Sequence, residues 1–180
     1  RRDIVESLKR NRRECDAGMD VRDLNLGYFN RQAAESHGER TAIIDMSRSP
    51  AAEITHAELD DRMDRVASAL IQAGLRPEDR VLLAMENRFE FIESFFGAMR
   101  AGCVPIPLNH KLGAETIKFI IDDSAAVAAI VDPACHPHIV SIVEDAELST
   151  RVATDSDLVG WAEYESWLSD CSPVTLTPPD

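Results

Sequence analysis

The stretch from Arg80 to Asn109, RVLLAMENRFEFIESFFGAMRAGCVPIPLN, constrains this chain more than any other. It opens with the apolar run Val81-Leu82-Leu83-Ala84-Met85, too short for a membrane helix and typical of a strand buried on both faces. Asn87 and Glu90 then form an N-x-x-E start signal, in which each side chain can satisfy a backbone N–H left without a partner at a helix beginning. The helix that follows places Phe89, Ile92, Phe96 and Met99 on one face, with Phe91 and Phe95 beside them. Gly102 stops it, and Val104-Pro105-Ile106-Pro107-Leu108 resumes as an extended segment. Strand, helix, strand in that order is a βαβ unit, which implies parallel pairing. Five of the six phenylalanines lie in this helix or the next, so the core is expected here.

The flanking segments extend the same alternation. Residues 1–24 form a polar arm without a firm period. From Asn25 a short amphipathic helix closes at Gly38. Thr41 to Asp45 and Glu53 to Thr55 read as two short strands pairing as a hairpin. Thr55 and Glu58 make a capping box, T-H-A-E, that opens the longest helix. Its apolar stripe is Leu59, Met63, Val66, Leu70 and Ile71, with Asp60, Asp61, Arg62, Asp64 and Arg65 expected to face water. A third helix follows over Ala114 to Asp123, then an apolar strand over Ala125 to Val131 and a fourth helix over His138 to Ala146. Arg151 to Ala153 is a short strand, and Trp161, Tyr164 and Leu168 repeat at helical spacing. Residues 173–180 are a proline-rich connector. The sum is one α/β unit over 25–172: an open, mostly parallel sheet with helices on both faces.

Charge narrows the partners. A formal net charge of −13 argues against nucleic acid and anionic membranes, whose phosphates need clustered Lys and Arg. Six of the 19 basic residues crowd into the first thirteen positions, a solvated helix face or arm. No apolar run approaches the roughly 18 residues of a spanning helix, and no signal-peptide pattern opens the chain. The first residue is not Met, so an incomplete N-terminus is expected. Cys15, Cys103, Cys135 and Cys171 show no C-x-x-C spacing, which suits a reducing, cytoplasmic compartment.

Motifs for chemistry are mostly missing. The eight glycines never lie closer than five residues, and neither G-x-G-x-x-G nor G-x-x-x-x-G-K-[ST] is present, so no glycine-rich phosphate cradle is expected. Cys135-His136-Pro137-His138 has no second pair with ligand spacing, which leaves a loop opening a helix rather than a metal site. His56 is expected as an exposed first-turn residue. No G-x-S-x-G elbow marks a hydrolase serine. Asp60-Asp61 and Asp122-Asp123 diverge on their helices; the first pair reads as a solvated face, and the second sits at a helix C-terminus where the dipole disfavours it. More interest attaches to Asn109-His110-Lys111 and to His136, each following the carboxyl end of a strand, where open α/β sheets bind ligands.

The passage Met99 to Asn109, MRAGCVPIPLN, resembles the (K/R)AG-x-(V/Y)-(V)P-(L/I) core motif of the adenylate-forming superfamily. Ile54 to Leu59 looks like its (L/I)-T-Y-x-E-L motif, with His56 in place of the aromatic. The runs ERTAIID, ITHAELD, GLRPEDRVLLAMEN and FFGAMRAGCVPIPLN, and a helix ending I-I-D-D-S, follow in that family's order over about residues 25–132. Pro107-Leu108-Asn109 resembles the acyl-CoA synthetase branch. The resemblance implies the first α/β subdomain of an AMP-forming acid–CoA ligase, with ATP, Mg2+ and CoA as the parent's cofactors and a carboxylic acid as substrate. The family's Ser/Thr/Gly-rich phosphate loop would begin just beyond this sequence, so the chain by itself is expected to be inactive and to bind no cofactor. No catalytic residue carries over. By resemblance, Asn109, His110, Lys111 and His136 lie toward the side where CoA enters, and the Ala101-Gly102 pair lets the helix approach the sheet. Other readings are a non-catalytic interaction module and an adenylation domain with another acceptor. An apolar face bearing Trp161, Tyr164 and Leu168 is expected to drive self-association.

Overall fold

The computed structural model describes residues 25–171 except 47, 110, 145, 147, 156 and 157. The arm expected over 1–24 and the connector over 173–180 lie outside the described residues. The segment from Asn25 divides into a short 3-10 turn, Leu26–Tyr28, and helix α1 (Arg31–His37). Strands β1 (Thr41–Asp45) and β2 (Ala52–Thr55) pair antiparallel as the expected hairpin. Helix α2 (His56–Gln72) starts on the predicted capping box. The Thr55 hydroxyl accepts the Glu58 N–H, and the Glu58 carboxylate accepts the Thr55 N–H at 2.9 Å. Such caps are worth about 1 kcal/mol.

Beyond α2 the chain alternates strand and helix: β3 (Arg80–Ala84), α3 (Phe89–Arg100), β4 (Val104–Pro107), α4 (Ala114–Ser124), β5 (Ala128–Val131), α5 (His136–Glu144) and β6 (Thr150–Ala153). A two-residue strand, β7 (Ala162–Glu163), and helix α6 (Tyr164–Ser169) follow. The strands form one parallel sheet in the order β4-β3-β5-β6-β7. Alternation along β3 divides the core. Val81 and Leu83 point to a layer containing Val66, Leu70, Ala98, Tyr164 and Leu168 of α2, α3 and α6. Leu82 and Ala84 point to Ile117, Ile121, Ile139 and Val143 of α4 and α5. A third cluster seats the hairpin on α2 and α3 through Ile54, Leu59, Met63 and Phe96.

Edge strand β4 explains the two prolines of its motif. Val104 and Leu108 donate their N–H groups inward, to Asp79 and Leu83, so positions 105 and 107 face the free edge. Proline there removes the donors another strand would pair with.

Several expectations are corrected. Asn87 does not cap α3: Arg88 occupies the cap position without a side-chain cap bond, and Glu90 is engaged by arginines instead. Asp60 is not on a solvated face but buried, because Arg100 and Arg31 reach it from α3 and α1. His56 is half-buried, with its Nδ1 2.6 Å from Asn30 Oδ1. Tyr164 and Leu168 are not an exposed adhesive face: both are buried against α2 and the sheet, and Trp161 packs on the opposite core layer. Phe119 is 64% exposed, so it adds nothing to the core expected around it. Gly97 carries a close approach of α3 to α2, where a Cβ would stand 2.6 Å from Val66 Cβ. Gly102 serves the turn, at φ +76°. Asp122 meets the C-terminal dipole problem with Lys118, 3.3 Å away.

Candidate functional site at the strand ends

The strand order creates a topological switch point. From β3 the chain crosses to β4 on one side and then to β5 on the other, so connections leave the carboxyl ends of β3 and β5 in opposite directions, and a crevice opens between them. An open cleft of about 870 Å3 lies there. Its walls come from Met85, Glu86, Asn87 and Arg88 after β3, Leu108, Asn109 and Lys111 after β4, Asp132, Pro133 and Ala134 after β5, and Asp155 after β6; Asp45 and Arg48 of the hairpin reach its rim.

Asp132 ties the crevice floor together. Its carboxylate accepts the Glu86 N–H at 2.7 Å and the Cys135 N–H at 2.8 Å, and its carbonyl accepts the His136 N–H. One side chain thus links the ends of β3 and β5 and starts α5. Cys135 behind it is buried; burial first, then Asp132, pushes its thiol up to about 12, which leaves it protonated and non-nucleophilic at neutral pH.

A chain of alternating charges crosses the upper wall. Arg48 holds Asp45 at 3.0 Å and Glu90 at 2.8 Å. Arg88 grips the same Glu90 through Nε and Nη2 at 2.7 and 2.9 Å and also binds Asp155. Burial works to raise the Glu90 carboxyl, yet the Arg88 hydrogen bond and charge, with Arg48, hold it below the usual carboxylate range. Arg88 is raised in turn, chiefly by its bond to Glu90.

Of the residues singled out from sequence, Asn109 and Lys111 line this crevice. The Asn109 side chain accepts the Lys111 N–H at 3.0 Å, folding the loop back on itself. His110 lies outside the described residues. His136 opens α5 but is not part of the cleft wall, and its buried Nε2 has no hydrogen-bond partner among the described residues. Sequence reasoning missed Arg48, Arg88, Asp132 and Asp155. For Asp132 a signal existed: an acid directly after a buried strand, followed by proline. The arginines gave none: Arg48 and Arg88 each have one partner close in sequence, Asp45 and Glu90, but the contacts that bring them into the crevice, Arg48 with Glu90 and Arg88 with Asp155, span 42 and 67 positions. Among the described residues, no three His, Cys, Asp or Glu side chains group so as to hold a metal ion.

The sequence profile of AMP-binding enzymes matches residues 29–179. The chain belongs to the AMP-binding enzyme family. A 4-hydroxybenzoate–CoA/benzoate–CoA ligase from Rhodopseudomonas palustris is 35% identical over 108 residues, covering 59% of this chain and 19% of that protein. A salicyl-AMP ligase / salicyl-S-ArCP synthetase from Mycobacterium tuberculosis is 31% identical over 156 residues, covering 82% of this chain and 28% of its own length. A solved benzoate CoA ligase from Burkholderia xenovorans superposes with a TM-score of 0.75 at 26% identity, over 87% of this chain and 30% of that one. The chain therefore spans less than a third of the length of these AMP-binding relatives. No helix among the described residues is long and apolar enough to cross a membrane.

Proposed function

We propose that this chain is part of an AMP-forming acid–CoA ligase. The observation that carries the reading is the family match over residues 29–179 together with acid–CoA ligases among the relatives. In the reaction proposed for the parent protein, a substrate carboxylate oxygen attacks the α-phosphorus of ATP. The α–β P–O bond breaks and pyrophosphate leaves. The CoA thiol then attacks the acyl carbonyl, a thioester forms, AMP departs and the thiol proton passes to solvent. ATP would enter with Mg2+. The phosphate loop for that chemistry is not in this sequence, so the contribution we assign to the chain is a wall of the site: one α/β unit over 25–172, between a polar arm at 1–24 and a connector at 173–180. On it we place Asn109, His110 and Lys111 toward the CoA side. His136 belongs to that side through its position just after β5. Three buried cysteines in no disulfide among the described residues, Cys103, Cys135 and Cys171, suit a reducing cytoplasmic setting.

ATP–pyrophosphate exchange against a panel of aromatic and fatty acids tests this, on the present chain and on the longest natural chain containing it. Exchange by the longer chain alone is the expected result, and the acid that supports it names the substrate. Exchange by neither sinks the ligase reading in favour of an interaction module. A second acceptor, a carrier-protein thiol, is kept in view because the salicyl-AMP ligase covers 82% of this chain; thioester formation on CoA separates the two. We also propose that the isolated chain self-associates through apolar side chains that do remain exposed, Ile44 at 51% and Met46 at 79%. A monodisperse monomer across a concentration series in light scattering counts against that.

A further inference from the structure

We propose that the crevice carries an oxyanion site on Arg88, occupied by the chain's own Asp155 until a carboxylate or phosphate group takes its place. The inference goes beyond the ligase reading, since an oxyanion binds at Arg88 or does not, whatever reaction the parent protein performs.

A guanidinium has five N–H donors in a planar fork, and its paired edges match carboxylate and phosphate geometry. At Arg88 one edge is spent: Nε and Nη2 clamp Glu90, which is buried and fixed by Arg48 from the other side. The remaining Nη2 donor goes to Asp155. Nη1 makes no hydrogen bond among the described residues, and Arg88 forms part of the cleft wall. The open edge of the fork thus borders the crevice with one nitrogen unused and the other on a replaceable partner.

Asp155 has the marks of such a partner. Its side chain is 65% exposed, so it leaves Arg88 at little desolvation cost. Its backbone sits at φ +48°, the left-handed region that non-glycine residues enter at a cost. Glu90, by contrast, is buried and cannot leave without stranding two arginines. Lys111, in the same wall and in no ion pair among the described residues, adds a positive charge. The acids facing the cleft are accounted for. Asp45 is paired with Arg48, Asp132 is held on the floor by two backbone N–H groups, and Glu86 and Asp132 are the wall acids that oppose an incoming anion. A cation is the less suitable guest, since no three ligating side chains group together among the described residues.

The test is a titration of the folded chain with inorganic phosphate, and separately with benzoate, at constant ionic strength, following the Arg88 side-chain N–H resonances by NMR. Saturable shifts are expected. Asp155→Asn removes the internal competitor, and should tighten binding about two- to fivefold, the worth of an exposed ion pair. Arg88→Gln should abolish it. Because that variant strands Glu90 and can cost the fold, Asp155→Asn carries the decision. Response to phosphate alone points to a phosphorylated ligand, and response to benzoate alone to the acid substrate; either supports the site. Unshifted Arg88 resonances, binding unchanged or weakened in Asp155→Asn, or Mg2+ binding that Asp155→Asn removes would each overturn it.

Discussion

Helix α3 carries an arginine at each end, and the two live differently. Arg100, its last residue, is sealed: its side chain is 0% exposed. It spends its donors on Asp60 Oδ1 at 2.6 Å, Asp64 Oδ1 at 2.7 Å and the carbonyls of Gly27 and Asp60, with the Tyr28 ring 4.8 Å from its guanidinium carbon. Its place at a helix C-terminus also suits the dipole. Arg88, at the N-cap, opposes the dipole, keeps one nitrogen unused among the described residues and holds one partner on the surface. The dipole conflict is met by Glu90 in the first turn. The same chemistry is a rivet at one end and a responsive contact at the other, and the difference is how completely the donors are committed.

The largest effect should come from breaking the sealed end. Arg100→Leu leaves Asp60 buried with Arg31 as its remaining cation and removes the bond to the Gly27 carbonyl, one of the ties between α3 and the 3-10 turn at Leu26–Tyr28. Losing one member of a buried ion pair typically costs about 3–5 kcal/mol. Urea denaturation should show that loss, and a change under 1 kcal/mol would mean Arg100 is no rivet. The basic residue of the (K/R)AG motif would then need another explanation.

That motif shows what the sequence makes legible. Strand, helix and turn over Arg80 to Asn109 follow from local rules: a five-residue apolar run, a three- and four-residue repeat, a glycine stop. The partners of Arg100 lie 36 and 40 positions earlier. A helical wheel therefore assigns Asp60 to water, because nothing within α2 shows that an arginine arrives from α3. The same reason hides Arg88 and Asp155, which are 67 residues apart. Asn109 and Lys111 were readable because a strand's carboxyl end is local information. His136 was placed by the same rule but falls outside the cleft, since Asp132 turns the chain into α5 one turn earlier. The Asn87 cap failed because the extended backbone at Arg88 delays the helix to Phe89.

Between the two arginines, α3 holds two buried carboxylates that should titrate in opposite senses. Glu93 receives Arg62 at 2.6 Å and the Tyr164 hydroxyl at 3.0 Å, with Ser94 on Tyr164 and Glu165 sharing Arg62. Burial outweighs these partners, with Glu90 adding to it, and raises Glu93 above its ordinary 4.5. A raised carboxyl holds its proton in the folded state after the unfolded chain has lost it, so stability declines as pH climbs from 4.5 through the folded value. Glu90 is lowered, so its contribution is present above 4.5 and is lost as pH falls through its folded value. In urea midpoints taken across about pH 2–8, Glu93→Gln should remove a decline above pH 4.5 and Glu90→Gln a gain below it. The level of each curve shifts with the lost ion pair, so the slope is what decides. Parallel slopes for both variants would show that the two ends of α3 do not differ electrostatically in this way.

The smallest effect sharpens the comparison most. Asp155 is largely solvated, so its bond to Arg88 is worth at most about 1 kcal/mol, and exposed pairs often contribute nothing measurable. Asp155→Asn should therefore change the stability of the folded chain by no more than about 0.5 kcal/mol, while a sealed partner such as Asp60, changed to Asn, should cost several times that. The near-silence of Asp155→Asn in denaturation is what a replaceable contact requires: a partner that held the fold together could not give way to a ligand. If Asp155→Asn destabilises the chain as much as Asp60→Asn does, Arg88 is a second rivet, and the crevice has no arginine free to receive an anion.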